Sequence, residues 1–209
     1  MVSPLAATSV IAVVMPLNHV REMLELITGN NHVTIVNDPS HAVGSADNIN
    51  SYDSEYHLDD SRAEYAVTSR HAVFVTCGNK IVAKCILLAG GGASGIHEHS
   101  AIVREDSCIV ACGPFMASLT IPTLKLNWAT QTDDATCFGV YESREHSCLF
   151  SHGELLIARV SYDGTIVWNA GGADIFTNGF RIRGNVIHAI DFYDREYLID
   201  IETGREIEA

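Results

Sequence analysis

Short apolar runs, each about the length of a β-strand, are separated by Gly, Asp and Pro from residue 69 to the end of the chain. Eight of them follow one another in order: CIVACG, FMASLTI, LKLNW, ATCFGVY, CLFSHG, ELLIARVSY, TIVWNA and DIFTNGFRI. β-Branched and apolar residues bounded by turn-forming residues are typical of strands. The pattern therefore predicts a mainly β domain over residues 69–209.

The strand pattern also repeats. The near copies REDSCIVACG and REHSCLFSHG begin at Arg104 and Arg144, and in each copy a tryptophan follows the cysteine at the same distance, Trp128 after Cys108 and Trp168 after Cys148. Each period holds four strand-sized runs, which is the size of a propeller blade. We therefore predict tandem antiparallel four-stranded units of about 40 residues, either propeller-like or an open β-meander array.

The end of the chain carries a family resemblance. EYLIDIETGREI resembles the repeat of pyrroloquinoline-quinone-type propellers, in which a strand, a Thr-Gly or Asp-Gly turn and a second strand ending in Trp recur. ELLIARVSYDGTIVW fits the same outline, and Thr203-Gly204 falls one repeat period after Asp163-Gly164. The resemblance implies a blade in which tryptophan packs between blades, so Trp128 and Trp168 are predicted to be core residues. It does not extend to quinone binding.

The number of units leaves three alternatives. Residues 69–209 hold about three and a half units, whereas a closed propeller needs about four to eight. Residues 1–68 supply the missing strands, or the array stays open and is capped, or it closes by association, as in a homo-oligomer.

Residues 1–68 differ in pattern from the repeat domain. Helix-like spacing of apolar residues predicts one N-terminal helix from about Leu17 to Thr28, with a stop at Gly29-Asn30-Asn31. HVTIV, from His32, is a strand candidate. The polar stretch from Asn37 to Arg62 is expected to be a solvated acidic connection rather than a cation site, because it lacks the spacing of a ligand loop.

Charge limits the partners that the chain can have. The net charge is −13, with 26 Asp and Glu against 13 Lys and Arg. Nucleic acid and anionic membrane are excluded as partners, since binding to either needs clustered Lys and Arg residues on the protein. A basic protein partner fits this acidic field.

Cysteine placement bears on the compartment. Cys108 and Cys148, and likewise Cys77 and Cys112, occupy matched strand positions, which is typical of small buried residues rather than of a disulfide framework. The segment that ends at Asn18 is apolar, but no Lys or Arg precedes Arg21 as a signal peptide requires. We predict a cytoplasmic protein, with export left open.

The strongest chemical candidate is GGGASGIHEHS, residues 90–100. If IHEHS is extended, His97 and His99 project to one face, as a strand offers two imidazoles to a metal. The spacing resembles the first motif of the cupin family, which implies metal binding, although Glu105 and Gly113 come one residue late in each gap. The candidate third ligands are His71, His146 and His152, of which His152 is assigned to packing.

No motif identifies a substrate or a catalytic residue. The Gly-rich stretch lacks the Lys-Ser/Thr of a P-loop, and Ser94 does not stand in a G-x-S-x-G elbow. We therefore predict a non-enzymatic binding module that presents a β-repeat surface to a protein partner and needs no cofactor. The alternative is a metal-binding β-barrel or a cupin-like metal-dependent enzyme that uses His97 and His99.

Overall fold

The protein is built from β-sheets that pack face to face in chain order. The computed structural model describes residues 22–59 and 66–207, which form sixteen strands in four sheets. The predicted β class and the four-stranded antiparallel unit are confirmed, and the arrangement is propeller-like.

Sheet 1 has five strands in the order β1-β2-β4-β5-β3. These are β1 (Met23–Thr28), β2 (Asn31–Asn37), β3 (Ser54–His57), β4 (Ser69–Cys77) and β5 (Lys80–Ala89). β3 runs parallel to β5, and the other neighbours are antiparallel. The HVTIV strand is confirmed as part of β2. Residues on both sides of position 68 therefore contribute strands to this sheet.

Sheets 2 and 3 are four-stranded antiparallel meanders. Sheet 2 contains β6 (Ala101–Arg104), β7 (Ser107–Cys112), β8 (Phe115–Thr120) and β9 (Leu126–Gln131). Sheet 3 contains β10 (Cys137–Ser143), β11 (Cys148–Gly153), β12 (Leu156–Val160) and β13 (Ile166–Gly171). They correspond to the two full periods of the sequence repeat.

Sheet 4 has three strands in the part of the chain that the structure describes. They are β14 (Gly179–Arg183), β15 (Val186–Ile190) and β16 (Glu196–Asp200). After the Thr203-Gly204 turn, a single bridge between Ile199 and Glu206 continues the meander.

Three apolar cores hold the four sheets together, one at each junction between successive sheets. The core between sheets 2 and 3 is representative: Ile109 and Met116 of sheet 2 pack with Val140 and Leu149 of sheet 3. Alternating residues along each inner strand face opposite neighbours, because the side-chain period of a strand is two. Burial between sheets is the main favourable term in this fold.

Both tryptophans pack between sheets, as predicted. The Trp128 indole lies against Gly164 in the β12–β13 turn of the next sheet, and Trp168 lies in the same way against Gly204. The two glycines have φ of +90° and +68°, which confirms the predicted turns. The cysteines are free thiols, and of the matched pairs Cys77 alone is exposed.

The predicted N-terminal helix is wrong. No α-helix occurs in residues 22–59 or 66–207, and the end of the predicted helix is strand β1, while residues 17–21 lie outside the described residues. Leu24 and Leu26 point into the core, whereas Met23 and Ile27 lie on the other face. Apolar residues on both faces imitate helical spacing, and the Gly29-Asn30 stop is a hairpin turn, since both structures favour glycine with positive φ.

Part of the acidic connection, residues 37–62, packs on sheet 1. Asp38 is buried and accepts hydrogen bonds from Ser40 Oγ, Asn50 Nδ2 and the Tyr52 hydroxyl. A strand, β3, follows within the segment that the sequence assigned to a solvated connection. The described residues include no helix of the length and apolar character needed to cross a membrane.

Candidate functional site

Six rings form one contact cluster at the upper end of sheets 2 to 4, which we define as the end where the first strand of each sheet begins. We call it the aromatic cluster; its members are His97, His99, Phe138, Tyr141, His152 and Phe180. His97 is exposed and the other five are partly buried. The cluster therefore reaches the surface at His97, while Tyr141 and Phe180 also pack against the core between sheets 3 and 4.

Strand register places three of the rings. Phe138 and Phe180 are each the second residue of the first strand of their sheet, β10 and β14. His152 lies near the end of β11, where it pairs with Gly139. Because β10 and β11 are antiparallel, the end of one meets the beginning of the other, and His152 comes beside Phe138.

Backbone hydrogen bonds fix the loop that carries His97 and His99. The Val140 N–H donates to the His99 carbonyl at 2.8 Å, and the Gly92 N–H donates to the Ala135 carbonyl at 2.8 Å. Both bonds join the loop between sheets 1 and 2 to sheet 3 or its approach. The two imidazoles are thus held against the first strand of sheet 3.

The rings follow one another around the cluster. His99 lies 4.6 Å from Tyr141 between ring centroids, and Tyr141 lies 4.5 Å from Phe180. Phe180 stacks on His152 at 4.9 Å with planes 16° apart, and His152 meets Phe138 edge-on at 5.6 Å. Offset and edge contacts of this kind each add about 0.5–1.5 kcal/mol beyond burial.

Hydrogen bonds of His97 connect the two ends of this series of rings, His99 and Phe138. Its Nδ1 accepts from the His99 N–H at 3.2 Å, and its Nε2 lies 2.7 Å from the Phe138 carbonyl oxygen. Since one nitrogen accepts, the neutral ring carries its proton on Nε2 and donates to Phe138. Both ring nitrogens of His97 are therefore engaged within the protein.

Burial removes charge from the middle of the cluster. It lowers the pKa of His152 to about 4, although a hydrogen bond to the Phe176 carbonyl opposes the shift. Burial also lowers the pKa of His99, against the opposing effect of Glu98, and raises the pKa of Tyr141 to about 12. Near neutral pH the rings of His99, His152 and Tyr141 are therefore uncharged.

A second polar group lies beneath the same loop. The His71 ring is buried, with Nδ1 2.9 Å from the Ala111 carbonyl oxygen and Nε2 3.1 Å from the Ser94 carbonyl oxygen and 3.3 Å from Ser94 Oγ. Ser94 Oγ also accepts the Gly113 N–H at 2.8 Å and contacts Ser69 Oγ. Burial lowers the pKa of His71. With a carbonyl in place of an orienting carboxylate, the pair links sheets 1 and 2 and does not form a catalytic triad.

The structure brings some of the predicted metal ligands together and separates others. His97 and His99 share the cluster with His152, but the segment turns at His97–Ser100 instead of extending. His146 bonds Asn185 at the lower end of the sheets, away from the cluster.

The cupin-like spacing continues to Glu105, which lies in the β6–β7 turn and pairs with Arg104. No group of three His, Cys, Asp or Glu side chains suited to a metal is found among residues 22–59 and 66–207. Metal binding at His97 and His99 stays a prediction.

Sequence reasoning identified the histidines of the cluster but missed Phe138, Tyr141 and Phe180. One signal was present. The separation of Phe138 and Phe180 along the chain is close to the repeat period, and sheet 2 has Ile102 at the corresponding place. An aromatic residue at the start of two consecutive inner strands indicates a ring-lined end of the sheets.

Comparison with known proteins bears on the fold. No protein-family model matches the sequence, and a search of curated proteins gave no match. Among solved structures, the AfRom2 CNH domain is similar over 92% of this chain and 55% of that chain, with 11% identity and a TM-score of 0.54. This similarity shows a shared fold.

Two further structures are similar at lower scores. The computationally designed Ika8 protein covers 88% of this chain and 59% of that chain, with 9% identity and a TM-score of 0.49. The WD40 β-propeller domain of Doa1 covers 74% and 53%, with 11% identity and a TM-score of 0.47. The chain thus spans somewhat more than half the length of each of these three structures.

Proposed function

We propose that the protein is a non-enzymatic binding module whose aromatic cluster receives a basic segment of a protein partner. The observation that carries the proposal is the cluster itself: six rings in continuous contact at one end of the sheets, with His97 exposed and the other five partly exposed. Rings at a solvent-facing end offer apolar area together with polar edges, which suits them to contact with another protein.

The uncharged rings suit a cationic side chain. An imidazolium would repel Lys or Arg, but burial disfavours protonation of His99 and His152. A cation over an aromatic face gains about 0.5–1 kcal/mol at exposed sites and about 2 when desolvated. Phe180 and Tyr141 lie beside the two histidines and are partly exposed, so a cation would bind against the part of each ring that its neighbours leave accessible.

Negative charge at the rim strengthens the same preference. The Glu98 side chain is 63% exposed, with Oε1 3.5 Å from His99 Nε2. The chain as a whole carries 26 acidic against 13 basic residues. A negative field of this kind speeds the approach of a basic partner and weakens with added salt.

The test uses a fluorescein-labelled peptide rich in Lys and Arg, with an acidic peptide of equal length as the reference, read by fluorescence anisotropy. Glu98→Arg should raise the Kd for the basic peptide roughly tenfold, equivalent to about 1.4 kcal/mol. The matched control is Glu145→Arg, the same charge reversal at an exposed residue of the β10–β11 turn. Equal losses in both variants, or equal affinity for the two peptides, would refute the proposal.

Two expectations from the sequence stand beside this proposal. The alternative function, a metal-dependent protein using His97 and His99, is addressed by a metal titration below. The cytoplasmic location likewise stays a prediction. From the pyrroloquinoline-quinone-type repeat we carry over the blade and no ligand.

A further inference from the structure

At two junctions, a side chain on the first strand of one sheet contacts a side chain on the first strand of the next. Between sheets 3 and 4, the rings of Tyr141 and Phe180 lie 4.5 Å apart. Between sheets 2 and 3, Arg104 Nε lies 3.4 Å from Glu142 Oε1. Positions on the first strand of each sheet are counted back from the hairpin turn that ends it. In both cases, the residue of the earlier sheet is one position nearer its turn than the residue that it contacts in the later sheet.

Strand register identifies the residues of sheets 4 and 1 that correspond to Tyr141 and Phe180. Arg181 pairs with His188 in sheet 4 as Tyr141 pairs with Phe150 in sheet 3, so Arg181 stands where the next sheet would be met.

Glu25 holds the complementary place in sheet 1. It pairs with Thr34 as Phe180 pairs with Ala189 in sheet 4, so Glu25 stands where a preceding sheet would be met. A sheet 4 laid against a sheet 1 in the observed register would therefore oppose Arg181 to Glu25.

Both end faces are uncovered at these positions. Arg181 and Glu25 are exposed, and His188 is partly buried, whereas its counterparts Ile109 and Phe150 are 3% and 0% exposed. In the part of the chain that the structure describes, no apolar core joins sheet 4 to sheet 1. Sheet 4 thus presents a basic residue, Arg181, and sheet 1 an acidic residue, Glu25, at the matching place.

The two ends also differ in extent. The outer part of the free face of sheet 1 is covered by its own chain, since Val43 and Tyr52 pack on Ile86 and Leu88 of that face. On the inner strands of the same face, Glu25 and His32 are exposed. Sheet 4 has three described strands, and its fourth position holds a single bridge at Glu206. In such a contact, a three-stranded sheet would meet a face whose outer part is already covered.

We propose that two copies of this chain associate head to tail, with sheet 4 of each copy packed on sheet 1 of the other and Arg181 paired with Glu25 of the second copy. Two copies supply eight sheets, within the range of about four to eight that closes a propeller ring. The two junctions between sheet 4 and sheet 1 are related by a two-fold axis, so the association closes as a dimer.

Multi-angle light scattering on the purified full-length chain tests this directly. The expected mass is twice 22.7 kDa. Glu25→Arg and Arg181→Glu should each raise the dimer dissociation constant by about tenfold or more, because like charges then face each other at both junctions. Glu145→Arg, exposed in the β10–β11 turn, is the control for a charge reversal outside the interface.

Mixing the two variants gives the sharpest result. In a mixed pair, one junction opposes native Arg181 to native Glu25, and the other opposes the two substituted residues, which again carry opposite charges. An equimolar mixture of Glu25→Arg and Arg181→Glu should therefore recover the dimer. Recovery also shows that both variants are folded. A wild-type monomer at every soluble concentration, a dimer indifferent to both substitutions, or a mixture that stays monomeric would overturn the proposal.

Discussion

The indole of Trp128 occupies the space that a side chain at Gly164 would need. A Cβ built on Gly164 would come within 2.6 Å of Trp128 Cδ2, and the Trp128 Nε1–H donates to the Tyr162 carbonyl at 3.1 Å. Trp168 and Gly204 repeat this arrangement one sheet later, with the indole N–H on the Ile201 carbonyl at 2.8 Å. The repeated spacing in the chain thus reflects one packing unit used twice.

Gly164→Ala should destabilise the protein by about 3 kcal/mol, which combines left-handed backbone strain with overpacking against the indole. The matched control is Gly184→Ala, at φ +54° with no atom within 4 Å of the added Cβ; it should cost about 1 kcal/mol from backbone strain alone. Urea unfolding followed by circular dichroism measures both. In a Trp128→Leu background the cost of Gly164→Ala should fall to that of the control, and an undiminished cost would contradict the assigned contact.

The junction between sheets 1 and 2 solves the same problem with different residues. Leu124 has φ +55° and is the structural equivalent of Gly204. In the turn of Leu124 the Thr120 N–H donates to the Lys125 carbonyl, and in the turn of Gly204 the Asp200 N–H donates to the Arg205 carbonyl. Its side chain is buried, and in place of an indole the Tyr56 hydroxyl donates to the Leu124 carbonyl at 3.1 Å. A large turn residue here accompanies a smaller ring on the preceding sheet.

Leu124→Gly should therefore destabilise the protein by about 2 kcal/mol or more, since the loss of a buried leucine outweighs the relief of backbone strain. Ser147→Gly is the control, because Ser147 has φ +50° on an exposed turn and gains the same relief without losing buried area. Thermal unfolding should show opposite signs for the two variants. A stabilised Leu124→Gly would mean that strain dominates at this turn.

The repeat made the sheets and the tryptophan packing predictable, because both depend on neighbours at a fixed spacing. The strand β1 was misread as helix because its two faces meet different surroundings: Leu24 enters the core, while Ile27 lies on the free face of sheet 1. A one-dimensional pattern does not distinguish that arrangement from a helix stripe.

The aromatic cluster was only half predictable for a related reason. Its rings come from the loop before sheet 2 and from sheets 3 and 4, so they are spread along the chain from His97 to Phe180. His97 and His99 stand together in the sequence and attract notice, whereas Phe180 reaches them only through the packing of whole sheets. The pairing that the sequence suggested was a metal site, and the structure surrounds the same histidines with aromatic rings.

Stability should decrease as the pH falls below the ordinary histidine range. Folding lowers the pKa of His152 from 6.5 to about 4, so between these values the unfolded chain binds a proton that the folded protein does not, and stability rises with pH there. The His152 contribution lost from about pH 7 to pH 4 is about 3 kcal/mol. His71 and His99, whose pKa values are also lowered, act in the same direction.

Urea unfolding at pH 4.5 to 7.5 checks this, with His152→Gln as the variant, since its amide keeps a donor for the Phe176 carbonyl. The pH slope of the unfolding free energy should become shallower in His152→Gln. His32→Gln, at an exposed position of β2, measures the effect of replacing a histidine as such. An unchanged slope in His152→Gln would show that the imidazole is not held neutral by burial.

Metal binding at His97 and His99 would require His97 to give up a hydrogen bond. Zinc and related metals need the lone pair of a neutral imidazole nitrogen, but His97 Nδ1 accepts the His99 N–H and its Nε2–H donates to the Phe138 carbonyl. A metal at His97 must break one of these bonds and loosen the loop from sheet 3. We therefore expect titration with zinc, manganese, iron or nickel, followed by calorimetry and elemental analysis, to give no stoichiometric binding near neutral pH. A single tight site that is lost when His97 and His99 are both replaced by alanine would instead establish the metal-dependent alternative, and would require the loop to rearrange around it.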